Sequence, residues 1–141
     1  MRPYIHLILS FPIAVILYFF FKEYAFIFLL ASFIFDIDHY IDYAVATKTL
    51  SLKKAYIDCK KAGIYTRKYN HVLYKDRLHV FHTIEFYLMI LILAFYYKSF
   101  LFIFIGLMFH QIIDFIDALQ CPILLQGRAM SLIMWLKRRI F

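Results

Sequence analysis

Three short stretches of the chain gather side chains that can hold a metal ion or move a proton. FDIDHYID places Asp36, Asp38, His39 and Asp42 within one short segment, HVFHTIE places His79, His82 and Glu85 three apart, and HQIIDFID places His110, Asp114 and Asp117 four and three apart. Helical residues three or four apart share a face. On a helix, therefore, Asp38 with Asp42, Asp36 with His39, His79 with His82 and Glu85, and His110 with Asp114 and Asp117 would form polar stripes. These ten residues include six of the nine acids and four of the six histidines, and no Lys or Arg falls among them. So many carboxylates repel one another unless a cation joins them. Imidazole nitrogen mixed with carboxylate oxygen suits zinc first, with manganese or iron as alternatives, and there are enough donors for one ion or for two bridged by a carboxylate. Inward-facing ligands on a helical bundle are a known way to build such a centre. The expected ligands are Asp36, Asp38, His39, His79, His82, His110 and Asp114, with His6 in the first apolar run able to face the same centre. Glu85 and Asp117 are expected as a general base or as hydrogen-bond partners that orient ligands. The bland alternatives are a satisfied polar histidine or a hydrated capping acid, and His71, among loop bases, is expected to be solvated.

The elements that would carry these residues are apolar to an unusual degree. Of 141 residues, 65% are hydrophobic and only 3 are Gly and 3 Pro, whereas globular chains are roughly half apolar. Uncharged runs cover residues 4–21, 24–35, 86–97 and 100–109. A bilayer core takes about 20 helical residues, so the last three runs reach that length only by including the polar clusters beside them. The clusters must then lie at membrane depth or at its edge, where each ionisable group costs roughly 2–3 kcal/mol. The sequence predicts an all-α polytopic membrane protein, a single domain over residues 1–141 with about four transmembrane helices (4–21, 24–43, 78–97 and 99–119). Residues 1–21 could be read as a signal peptide, but Lys22, Glu23 and Tyr24 follow where small residues would be needed. Pro12 is expected to kink the first helix rather than end it.

Charge sets the expected orientation. Residues 43–78 hold nine bases against Asp58 and Asp76, and Lys137, Arg138 and Arg139 lie near the end, while the turns at Lys22 and Lys98 carry one base each. By the positive-inside rule, the central loop and both termini face the cytoplasm. The net charge of +7 is then mainly a topology signal plus attraction to anionic lipid head groups; the bases surround no nucleic-acid reading motif. Within the basic loop, a surface helix is expected over residues 51–62, capped by Ser51 and ended by Gly63. The tail, residues 123–141, is expected to include an interfacial helix with Trp135 at head-group level. Cys59 and Cys121 are too few for a disulfide framework and are expected as free thiols.

Taken together, these residues resemble the small inner-membrane, metal-dependent hydrolase family of bacteria and archaea. The resemblance runs in order along most of the chain: an early His (His6 in IHLILS), a D-x-D-H box (Asp36, Asp38, His39), a histidine box opening the third helix, and a Gly…His…Asp pattern (Gly106, His110, Asp114 in GLMFHQIID). The third box departs from the family's H-R-G-x-T-H-S: LHVFHTIE keeps His82 followed by Thr83, but His79 precedes it by three residues and no Arg follows. The resemblance implies hydrolysis of an ester or phosphoester of a lipid or lipid-linked substrate at the cytoplasmic face of the inner membrane, by water activated on one or two divalent ions. Lys75 and Arg77 could hold an anionic head group. The alternatives are an ion or proton transporter and a non-catalytic protein whose helices a metal merely pins, and a homodimer is compatible with each.

Overall fold

A computed structural model describes residues 3–72, 78–127 and 129–140. The described residues are helical apart from turns and connections, and no strand occurs among them. Helices α1 (Pro3–Phe21), α2 (Glu23–Ile34), α3 (Ile37–Thr47) and α4 (Leu52–Tyr69) are followed by a 3-10 turn at Val80–His82, α5 (Ile84–Ala94), α6 (Lys98–Gln120), a second 3-10 segment at Pro122–Gly127, and α7 (Leu132–Ile140). Three stretches are long and apolar enough to cross a membrane: Tyr4–Phe21, Glu23–Thr47 and Lys98–Gln120. The fourth expected span is shorter than predicted, because α5 has 11 residues, roughly 16 Å of helix.

The interior is built inside out. On α1 the buried side chains are His6, Ser10 and Ala14, one turn apart, whereas Ile8, Ile16, Phe19 and Phe20 point outward. A soluble protein would reverse this assignment; apolar surroundings permit it, because helix contacts there depend on close packing of small residues rather than on hiding large ones. Helices α2 and α6 form the centre and run parallel, with Tyr24 stacked on Phe102, Phe28 tilted against Phe109 and Ser32 beside His110. They touch at Gly106, where a Cβ would lie 2.7 Å from the Phe28 carbonyl oxygen and 2.8 Å from the Ala31 Cβ. Helix α1 returns antiparallel to α2 through a single-residue turn at Lys22, and α5 packs on α6 as the other half of a hairpin. Lys98 Nζ lies over the Tyr24 ring at 4.7 Å and the Phe21 ring at 5.6 Å, so the two short turns meet at one end of the bundle, as the charge pattern expected.

Three boundaries differ from the sequence expectation, each for a local reason. The second span breaks at Phe35–Asp36 into α2 and α3, tightened by Asp38 N–H to Phe35 O (3.3 Å) and His39 N–H to Asp36 O (3.1 Å). Residues two apart on a regular helix point to different sides; the break lets Asp36 and Asp38 both turn inward. The segment opening the third span leaves the helix because the Asp38 carboxylate accepts the Phe81 N–H at 2.7 Å, with His79 and Thr83 extended. His79, His82 and Glu85 therefore do not form the predicted helical stripe. Finally, α4 starts as expected, with the Ser51 hydroxyl accepting the Lys54 N–H, but runs past Gly63 to Tyr69. It ends on Asn70 in the left-handed region (φ 48°), a conformation Asn tolerates. Gly63 needs no special backbone geometry, and a Cβ there would meet nothing within 4 Å.

The two glycines should therefore respond oppositely. Gly63→Ala is expected to stabilise α4 by about 0.5–1 kcal/mol, whereas Gly106→Ala should destabilise the bundle by about 1–3 kcal/mol through overpacking. Thermal unfolding of the detergent-solubilised protein distinguishes the two.

Candidate metal centre

Away from the Lys98 end, α1, the α2–α3 break, the Val80–His82 turn and α6 converge on one buried cluster. Its members arrive by different routes: His6 from the first turns of α1, Asp36 from the break, His82 from the 3-10 turn, and His110 and Asp114 one turn apart on the face of α6 that carries Gly106. The His6 and His110 rings stack at 4.0 Å between centroids, and both side chains are fully buried. His6 Nε2 lies 3.3 Å from Asp114 Oδ1 and 3.8 Å from Asp36 Oδ2. His110 Nε2 is 3.7 Å from Asp36 Oδ1 and 3.1 Å from His82 Nε2.

Hydrogen bonds at the far side of two rings set their protonation. The Nδ1 of His110 sits 2.9 Å from the Ser32 carbonyl oxygen; a carbonyl only accepts, so Nδ1 carries the hydrogen and a neutral ring presents a lone pair at Nε2. The Nδ1 of His82 sits 3.2 Å from Asp38 Oδ2, which also accepts the Phe81 N–H. In its neutral form His82, too, presents a lone pair at Nε2. Two such lone pairs 3.1 Å apart repel unless a proton or a metal ion lies between them. This is the arrangement in which a backbone carbonyl or a carboxylate orients a metal-ligating histidine.

The remaining polar atoms add to the demand. Among the described residues, neither ring nitrogen of His6 and neither carboxylate oxygen of Asp36 has a hydrogen-bond partner, although a buried polar group left unmatched costs about 1–3 kcal/mol. Asp36, Asp38 and Asp114 are all buried, and no Lys or Arg is found among the buried described residues. Two groups of donors could hold a metal ion: His6, Asp36 and His110; and His82, His110 and Asp114. Within each group the ligand atoms lie within 4.8 Å of one another. His110 belongs to both, so they form one continuous pocket of donors. His39 and His79 flank it, with His39 Nε2 3.6 Å from Asp36 Oδ1 and the two rings 4.2 Å apart.

Other expected site residues are committed elsewhere. Asp38 uses Oδ2 to hold the His82 turn, a role of orientation. Glu85 turns to the C-terminal helix, where its carboxylate accepts the Ser131 hydroxyl (2.5 Å) and the Leu132 and Ile133 N–H groups (2.9 and 3.2 Å). Asp117 accepts both its oxygens' contacts from Arg67 Nη2 of α4, at 2.6 and 2.7 Å. Neither Glu85 nor Asp117 makes a hydrogen bond or ion pair to the histidine cluster among the described residues. Asp42 lies half-buried one turn beyond Asp38, and His71 is exposed. Lys75 and Arg77 lie outside the described residues. Sequence spacing missed the Ser32 carbonyl, whose only trace is a polar residue in an apolar run four positions before Asp36, and it missed Arg67 and Ser131, which reach their partners across 50 and 46 residues. No protein-family model matches the chain, nor does any curated protein or solved structure; the family resemblance stays with the motif residues themselves.

Detergent-purified protein is expected to retain divalent metal that His110→Ala and Asp36→Asn lose, as read by elemental mass spectrometry. Asp38→Ala should weaken binding by about 10–100-fold, the range for removing a partner that orients a ligand. Arg67→Ala should leave metal content unchanged.

Proposed function

We propose that the chain is a membrane-embedded, metal-dependent hydrolase that cleaves an ester or phosphoester of a lipid or lipid-linked substrate at the cytoplasmic face of the cell membrane. The observation that carries this reading is the pair of imidazole Nε2 atoms facing each other at 3.1 Å, beside an Asp36 whose oxygens lack hydrogen-bond partners, in a pocket with no buried Lys or Arg among the described residues. The motif resemblance supports the reaction class. Zinc is the favoured ion, with manganese or iron as alternatives, because the donors mix imidazole and carboxylate.

In this reading His6, Asp36, His82, His110 and Asp114 hold one or two divalent ions, with His39 and His79 adjacent. A bound ion supplies an acidified water and polarises the scissile group's oxygen. The Ser32 carbonyl and the Asp38 carboxylate keep the His110 and His82 rings in the tautomers that present Nε2. The outward apolar faces of α1 and α6 keep the pocket at the depth of the lipid head groups, and α5 on α6 forms a fourth membrane-inserted helix. Both termini and the basic α4 face the cytoplasm, toward anionic head groups.

A second reading, ion or proton transport, is favoured by one observation: the second candidate span is discontinuous at Phe35–Asp36, beside the cluster, and interrupted helices build ion sites in carriers. Hydrolysis of phospholipids by the purified metal-loaded protein, set beside metal uptake into vesicles containing it, separates the two. The expected result is lipid turnover that falls by about 1000-fold or more in His110→Ala, with no metal-dependent uptake. Uptake without turnover would replace the hydrolase with a carrier.

A further inference from the structure

The end of the chain is stitched to the turn that delivers His82. Besides the Glu85 hydrogen bonds to Ser131, Leu132 and Ile133, the Ile84 N–H donates to the Met130 carbonyl at 3.1 Å, and Ala129 is almost fully buried. The Ser131 hydroxyl also accepts the Met134 N–H, closing the first turn of α7. On the other side of this junction, Thr83 is buried and its hydroxyl donates to the Val80 carbonyl at 2.8 Å, so the segment from His82 to Glu85 is held at both ends.

Beyond its first turn, α7 presents an exposed apolar stripe. Ile133, Leu136 and Ile140, at helical spacing on one side, are 67%, 42% and 70% exposed. Lys137 beside them and Arg138 are exposed. An apolar stripe edged by Lys137, with Arg138 on the opposite, polar side, fits the boundary between head groups and acyl chains, where the stripe enters the lipid and the positive charge is drawn to anionic phosphate. The exposed apolar flanks of α1 and α6 require lipid around the bundle in any case.

We propose that α7 is a foot that rests on an anionic lipid surface, and that Glu85 acts as a positioning residue transmitting this seating to the His82 turn. Lipid composition would thereby tune how well His82 Nε2 faces His110. The coupling to His82 rests on the metal-site reading proposed above; the contact with lipid does not.

The chain's single tryptophan, Trp135, lies in α7 and reports on it alone. The full chain is reconstituted into vesicles of phosphatidylcholine, or of phosphatidylcholine with phosphatidylglycerol, carrying brominated acyl chains, and both Trp135 quenching and zinc affinity by chelator competition are measured. Quenching should be stronger with the anionic lipid, and the difference should vanish in Lys137→Glu/Arg138→Glu. Glu85→Ala should lower zinc affinity by about tenfold with helical content intact, and Glu85→Gln, which keeps an acceptor oxygen, should retain most of it. Trp135 quenching that is absent, or indifferent to lipid charge, overturns the foot and favours a protein partner for α7. Unchanged zinc affinity in Glu85→Ala overturns the coupling. If the wild-type chain binds no zinc or other divalent ion, the metal reading falls and the coupling with it, while quenching still decides the foot.

Discussion

The approach of α2 to α6 at Gly106 is the contact on which the site depends. Because residue 106 lacks a side chain, the backbones come close enough for His110, one turn later, to reach the Ser32 carbonyl. Large apolar residues of these helices point outward, so close backbone contact supplies much of the attraction. The parallel run of α2 and α6 then carries Asp36 and Asp114 to the same level. The antiparallel returns of α1 and α5 bring His6 and His82 to it from either side.

The interior at that level is unfavourable taken alone. Among the described residues, both ring nitrogens of His6 and both carboxylate oxygens of Asp36 lack a hydrogen-bond partner, and a buried polar group so placed costs about 1–3 kcal/mol. Such an arrangement persists where a ligand compensates it, and a divalent ion held between His6, Asp36 and His110 would do so. Binding at the site and stability of this end of the bundle would then be linked, since an ion that binds only the folded chain stabilises it by mass action.

Irregular backbone is confined to the places where the cluster needs it. The α2–α3 break and the extended residues around Val80–His82 both interrupt helices at the site, and each turns its polar side chains inward, Asp36 and Asp38 at the first and His79 and His82 at the second, while Ile37 and Val80 stay exposed. In each case a carboxylate is involved: Asp36 stands in the break, and Asp38 takes over the Phe81 N–H that a helical carbonyl would otherwise accept. The acids thus shape the backbone that presents the histidines, in addition to facing a cation.

Much of this was legible from composition and spacing alone. An apolar excess with so few glycines and prolines predicts helices long and apolar enough to cross a membrane, and charge asymmetry predicts which turns share an end, because both are sums over many residues that no single contact can reverse. The grouping of His6, Asp36, His82, His110 and Asp114 was likewise legible, since ionisable residues in apolar runs are costly and must find one another. Periodicity failed where side chains from distant segments captured backbone or carboxylate groups. Asp38 unwound the start of the third span, Arg67 drew Asp117 out of the site, and Ser131 with the start of α7 took Glu85. Those partners lie more than 40 residues away in sequence, and a pattern built from neighbours three and four apart carries no information about them. Only the packing of the helices, with α4 and α7 against α5 and α6, decided which carboxylates face the histidines and which serve as clamps.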